Sequence, residues 1–237
     1  MRQLALAEAL VAQKVRTLFV TRTKEALALD WPCPVRVVES RVYAGFGGRA
    51  VVDADVEMDA LCDLTFDDYA AADPRGELVN PHFGAADRYG KPHGTYFLGP
   101  RWAPLRPEFR WGAQGPRWTV SGKHSDEPLE YAGAKWLGYS ARQVIEAMAF
   151  APFAIVPPSM IALECLAVGV PVVLRVPGPK WQPIADAMVA AGVAVMEGDE
   201  GIQTATNPTT AKAMSEAGRE AVDGRGAARL AEWLADA

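Results

Sequence analysis

A long apolar run, Phe153 to Leu174 (FAIVPPSMIALECLAVGVPVVL), contains a single charged residue, Glu164. At 22 residues it is as long as the roughly 20 residues that span a bilayer. Pro157-Pro158 interrupts it early, however, and Gly169-Val170-Pro171 interrupts it late. This punctuation predicts a strand over Phe153–Val156, a turn, a helix over Met160–Val168 and a second strand over Val172–Leu174. Ser159 stands at the N-cap position, and Gly169 where a left-handed residue ends a helix. A helix apolar on nearly every side, between two strands without alternation, belongs to the buried centre of an α/β domain.

The rest of the chain alternates around this centre. Leu4, Ala7, Leu10 and Val11 fall at helical spacing within Met1–Lys14. Thr17–Thr21 and Pro34–Glu39 read as short buried strands, with a helical turn or two over Lys24–Leu29. Tyr96–Leu98, Arg117–Ser121 and Ala134–Leu137 read as further strands. Ala141–Phe150 reads as a helix with Val144, Ile145, Met148 and Ala149 inward. Ile184–Ala191 is a helix closed by Gly192, and Val193–Met196 a last strand. Gly201–Pro208 is expected to be a loop, and helices over Thr209–Gly218 and Gly226–Ala237 finish the chain. Alternation of this kind predicts parallel sheets. Linker punctuation in Trp111–Arg117 divides the chain into residues 1–112, residues 113–218 and a closing helix within 219–237. The fold class expected is α/β, with two small Rossmann-like domains.

Composition narrows the partners. The chain has 237 residues, enough for one large or two small domains, and half of them are hydrophobic. Net charge is −5, so no global basic field recruits nucleic acid or anionic membrane; a local basic groove stays open. Cys33, Cys62 and Cys165 lack metal-ligand spacing and are odd in number. They read as reduced thiols of a cytoplasmic protein. The first residues read as an amphipathic helix carrying Glu8, with no signal peptide.

Several clusters could carry chemistry. A carboxylate at Glu164 costs several kcal/mol if buried without donors. Either it lies half exposed or paired with an arginine, or it accepts hydrogen bonds from a ligand's hydroxyl pair above the strand ends. Gly45-Phe46-Gly47-Gly48-Arg49 reads as a mobile connection rather than a phosphate loop, because no lysine–serine pair follows. Asp53, Asp55, Glu57, Asp59, Asp63, Asp67, Asp68 and Asp73 occur without an intervening Lys or Arg. They read as a solvated acidic face, though so oxygen-rich a cluster also suits Mg²⁺ or Mn²⁺. Asp53 is the one member retained as a site candidate. His82 and His93 are each able to serve as a base near neutral pH. The turn Gly122-Lys123-His124-Ser125-Asp126 offers a phosphate backbone donors, a cation and, in His124, a proton carrier.

Ser159-x-x-x-x-Glu164-x-x-x-x-Gly169-Val170-Pro171 resembles the nucleotide-sugar motif of the GT-B glycosyltransferase superfamily. Within it the chain is most similar to the UDP-sugar hydrolase of pseudaminic acid biosynthesis and its spore-coat polysaccharide relatives. Met1–Leu10 resembles that family's first helix. Leu98-Gly99-Pro100-Arg101 with Leu105-Arg106-Pro107-Glu108-Phe109 resembles its LGPRYALLRPEF signature, and Asp223–Ala227 the start of its closing helix, which in GT-B folds crosses back to the first domain. Asn80–Ala85 resembles a segment near the sugar pocket. The family's Gly-x-Gly-His loop, which carries its catalytic histidine, precedes the Met-Arg pair. Either it is encoded upstream here, or this protein lacks the hydrolase's base. The family's Gly-Gly-Ser before the nucleotide helix is Pro157-Pro158-Ser159 here, and proline cannot donate a backbone N–H.

The resemblance implies a UDP-linked nucleotide-sugar held by Ser121, Gly122 and Ser125 of the polar turn, by Ser159 and Glu164, and by Gln182. Trp181 replaces the family's asparagine, where it either stacks on a sugar or base or only caps the core. The expected activity is metal-independent glycosyl transfer needing no cofactor. The acceptor stays open among a glycan, a lipid and a hydroxylated DNA base. A UDP-sugar hydrolase and a non-catalytic nucleotide-sugar-binding subunit are the alternatives. Asp53, His82 and His124 are the candidates for catalysis.

Overall fold

The computed structural model describes residues 2–21, 32–37, 51–53, 64–68, 77–89, 94–110, 129–130 and 141–236. It begins with α1 (Arg2–Ala12), then β1 (Phe19–Thr21) and β2 (Val35–Val37), which pair in parallel. A four-stranded parallel sheet follows, made of β3 (Val51–Asp53), β4 (Leu64–Phe66), β5 (Glu77–Asn80) and β6 (Tyr96–Leu98) in that order. Helix α2 (Ala85–Arg88) lies between β5 and β6. Strands β4 and β5 escape a periodicity search because each is three or four residues long. Phe66 stands opposite Val79, and Asn80 opposite Leu98. Asp67-Asp68 and Pro81-His82 therefore emerge side by side at the carboxyl ends of neighbouring strands.

The second sheet runs β7 (Leu129–Glu130), β8 (Ala154–Val156), β9 (Val172–Leu174) and β10 (Ala194–Met196), again parallel and in sequence order. Its connecting helices are α3 (Ala141–Phe150), α4 (Met160–Val168) and α5 (Gln182–Ala190). Alternate residues of each strand enter different cores. Ala154, Val156, Val172, Leu174 and Ala194 join the core that contains residues of α3, α4 and α5. Phe153, Ile155 and Val173 face the other way, with Ala205 and Ile202. Burial on both faces is why these strands show no polar alternation. Gly169 ends α4 at φ 84°, in the left-handed region, its N–H donating to the carbonyls of Cys165 and Leu166.

One expectation fails here. Residues 201–206 are not a loop but most of helix α6 (Asp199–Thr206). Asp199 and Glu200 favour its positive N-terminal end, and Ile202 and Ala205 bury against the sheet. Gly201 is a close-packing residue: a Cβ there would strike the carbonyl of Met196. Helix α7 (Pro208–Ala221) then starts at Asn207, whose side chain accepts from the N–H groups of Thr209 and Thr210.

The last helix, α8 (Gly226–Asp236), lies on α1. Leu230, Ala231 and Leu234 share a core with Leu6, Leu10, Leu64, Phe66, Val79 and Phe97. Phe83, Ala103, Leu105 and Phe109, from the first half of the chain, insert into the core of the second sheet. No helix among the described residues is long and apolar enough to cross a membrane.

Candidate functional site

The turn after β5 reads Asn80-Pro81-His82-Phe83-Gly84 and is held at several points. Asn80 is buried; its Oδ1 accepts from the His82 backbone N–H at 3.1 Å. Its Nδ2 donates to the Tyr89 hydroxyl at 3.2 Å. That hydroxyl lies 3.0 Å from both the carbonyl and Oδ2 of Asp67. Burial, with the Asp67 charge adding to it, pushes the Tyr89 phenol above its ordinary range, so it stays a neutral donor. The Arg88 guanidinium donates to the carbonyls of Gly84, Asp68 and Phe83 at 3.3, 3.2 and 3.3 Å.

Held in this frame, the His82 side chain is 2% exposed, with Nε2 3.2 Å from Oδ1 of Asp68. Arg2 donates to the same oxygen at 2.6 Å, and its guanidinium sits 4.9 Å from the centre of the Phe66 ring. Burial alone would raise the Asp68 carboxyl; the His82 and Arg2 contacts outweigh it and hold it at about 2. Asp68 is thus a fixed anion. In an imidazole whose Nε2–H is directed at Asp68, Nδ1 is the position that carries the lone pair of the neutral ring. That Nδ1 is buried and has no hydrogen-bond partner among the described residues. An unpaired buried acceptor costs about 1–3 kcal/mol, and one beside an aligned carboxylate has the form of an oriented base.

Asp67, Asp68 and Arg2 were not picked out from the sequence. The acidic run reads as a solvated face, and at these two aspartates that reading is corrected: Asp67 is 6% exposed and Asp68 is paired. The available signal was position. Both follow the strand Leu64-Thr65-Phe66 directly, at its carboxyl end.

A second group lies on α4. Ser159 has N-cap backbone geometry (φ −130°, ψ −169°), but its side chain makes no capping bond. Its hydroxyl is therefore not used by the helix. Glu164 is intermediate in exposure, yet densely surrounded by protein. Burial pushes its carboxyl up to about 7, with the Arg106 charge only partly offsetting this. Arg106 is already engaged: it donates to Glu8 from Nε at 3.3 Å and from Nη2 at 3.0 Å, and it pairs with Glu108 at 3.2 Å. Glu164 itself makes no hydrogen bond among the described residues. A carboxylate in that condition is an acceptor awaiting donors.

The remaining candidates are more scattered. Trp181 ends a short 3-10 turn, Pro179–Trp181, and packs against the second sheet's core, with Lys180 Nζ 5.5 Å from the ring centre. It caps the core. Gln182 opens α5 and is exposed, donating to Asp186 at 2.7 Å. Asp53 is the last residue of β3, in the same sheet as the strand before His82; its side chain lies outside the described residues. Ser121, Gly122, His124, Ser125, His93 and the Gly45–Arg49 loop also lie outside them. The structure thus brings His82 together with Asp68 and Arg2, and sets Ser159 and Glu164 on one helix.

No model of a known protein family matches the chain, and no curated protein does. Among solved structures, the glycotransferase of kitacinnamycin is similar at 16% identity and a TM-score of 0.34, over 87% of this chain and 48% of its own. The calicheamicin glycosyltransferase CalG4 is similar at 14% identity and a TM-score of 0.33, over 98% of this chain and 59% of its own. The chain therefore spans between 48% and 59% of the length of these two structures.

Proposed function

We propose that this chain transfers a sugar from a nucleotide-sugar, UDP-linked, to an acceptor hydroxyl, with His82 as the general base. The observation that carries this is the pair of buried His82 with Asp68 at the carboxyl ends of β5 and β4, with Nδ1 unpaired among the described residues. Ligands of parallel α/β sheets bind at such strand ends. Residues 1–112 take the acceptor side, residues 113–218 the nucleotide side, and the closing helix ties the two together in a reduced GT-B arrangement. The resemblance of Ser159–Pro171 to a nucleotide-sugar motif supports the second assignment, as do a Ser159 hydroxyl that makes no capping bond and a Glu164 with no hydrogen bond among the described residues.

In this scheme Glu164 accepts from the ribose hydroxyls, and Ser159 donates to the diphosphate. His82 Nδ1 takes the proton of the acceptor hydroxyl as its oxygen bonds to the anomeric carbon. The bond from that carbon to the diphosphate oxygen breaks, and UDP leaves with the electron pair. Asp68 stabilises the imidazolium and, being already held by Arg2, keeps the ring from turning. A base of this kind contributes about 10²–10⁴-fold in rate.

The test is release of UDP from a panel of UDP-hexoses, with labelled sugar followed into glycan, lipid and hydroxymethylated-DNA acceptors. Label should enter one acceptor class, and His82→Ala and Asp68→Ala should slow UDP release by about 10²–10⁴-fold while leaving UDP binding intact. Undiminished release by His82→Ala would remove the base. Free sugar formed without acceptor would assign hydrolysis, with water in the acceptor's place.

A further inference from the structure

We infer that the His82–Gly84 turn is a gate, closed here, that must leave helix α5 before His82 can meet a substrate. The inference rests on the reading of His82 as a base. Three observations support it. His82 is 2% exposed, although Nδ1 bonds to nothing among the described residues. The next residue, Phe83, is buried in the core of the second sheet rather than in that of its own. Gly84, at φ +66°, presses directly on α5: a Cβ placed there would lie 2.8 Å from the Cβ of Ala187 and 3.8 Å from the carbonyl of Pro183. The turn is thus shut by contacts with the opposite half of the molecule.

The turn's own framework supports movement as a unit. Arg88 ties the carbonyls of Phe83 and Gly84 to that of Asp68, and Asn80 ties the His82 N–H to β5. These bonds stay within the first half of the chain, and so does the His82 pair with Asp68. Parting Gly84 from Ala187 and drawing Phe83 out of the second core therefore breaks none of them. The base keeps its orientation through opening and gains access only to what lies between the two sheets.

The experiment is carbethoxylation of the full chain by diethylpyrocarbonate near neutral pH, with the rate at His82 read by mass spectrometry of its peptide. A closed gate makes native His82 react at least about tenfold more slowly than free N-acetylhistidine, because reaction waits on opening. Ala187→Leu, which wedges a longer side chain against Gly84, and Phe83→Ala, which removes the anchor, should each recover most of that factor. Melting curves identify any variant that has merely unfolded. A native rate equal to that of N-acetylhistidine would overturn the gate. So would an unchanged His82 rate in both variants while they remain folded. Neither result depends on turnover, so the gate and the assignment of His82 as base fail separately.

Discussion

Replacing Glu164 by Gln keeps the side chain's shape and removes its charge, and the consequence should depend on pH in a defined direction. Burial raises this carboxyl from an ordinary 4.5 to about 7. The folded protein therefore favours the protonated form. The stability this provides is fully present below the unfolded value and is lost as pH rises through about 7. The gap corresponds to a ceiling of about 3 kcal/mol. Partial exposure of the residue reduces the expected effect to about 1–2 kcal/mol. Urea unfolding of wild type and Glu164→Gln across about pH 5 to pH 8 measures it, because the difference between the two cancels other titrating groups. The two should be nearly equal at the acid end, with the variant more stable at the alkaline end. The same variant should bind UDP more weakly, since the amide keeps only one accepting oxygen and no charge where the carboxylate offers two to the ribose hydroxyls. A stability difference independent of pH would refute the reasoning, because it would show that Glu164 titrates as it does in the unfolded chain.

Three further outcomes follow from the geometry. Asp68 is lowered from 3.8 to about 2, so its stabilisation is present above 3.8 and lost as pH falls through about 2. Asp68→Asn should cost about 2 kcal/mol near neutral pH and flatten the acid limb of an unfolding titration followed by circular dichroism. Gly226→Ala would press a Cβ onto the backbone of Trp102 and Ala103. It should destabilise the chain by about 1–3 kcal/mol, read as a fall in melting temperature. Ser159→Ala should leave stability within about 0.5 kcal/mol, since no capping bond is lost, while weakening nucleotide binding in a calorimetric titration.

The parts of the fold that the sequence exposed were those where one physical rule acted alone. The run from Phe153 to Leu174 is apolar because both faces of β8 and β9 are covered, and its breaks at Pro157-Pro158 and Gly169 coincide with the observed element ends. The expected loop at residues 201–206 is a helix instead, and its Gly201 sits under the Met196 carbonyl, where no side chain fits. The candidate site was legible only in part for a similar reason. His82 and Glu164 stand out as rare residue types in apolar or turn settings. Asp68 and Arg2 gain their meaning from a contact between residues 66 positions apart. A three-residue strand, β4, sets the carboxyl end at which Asp68 lies. Strands that short leave no period to read.

The most direct test of a nucleotide-sugar site on α4 is a calorimetric titration of this chain with UDP, set against ADP, GDP and TDP. The account predicts saturable binding selective for UDP, lost in Glu164→Ala and retained in His82→Ala. Absence of binding by any of the four nucleotides, or an affinity unchanged by Glu164→Ala, would contradict it.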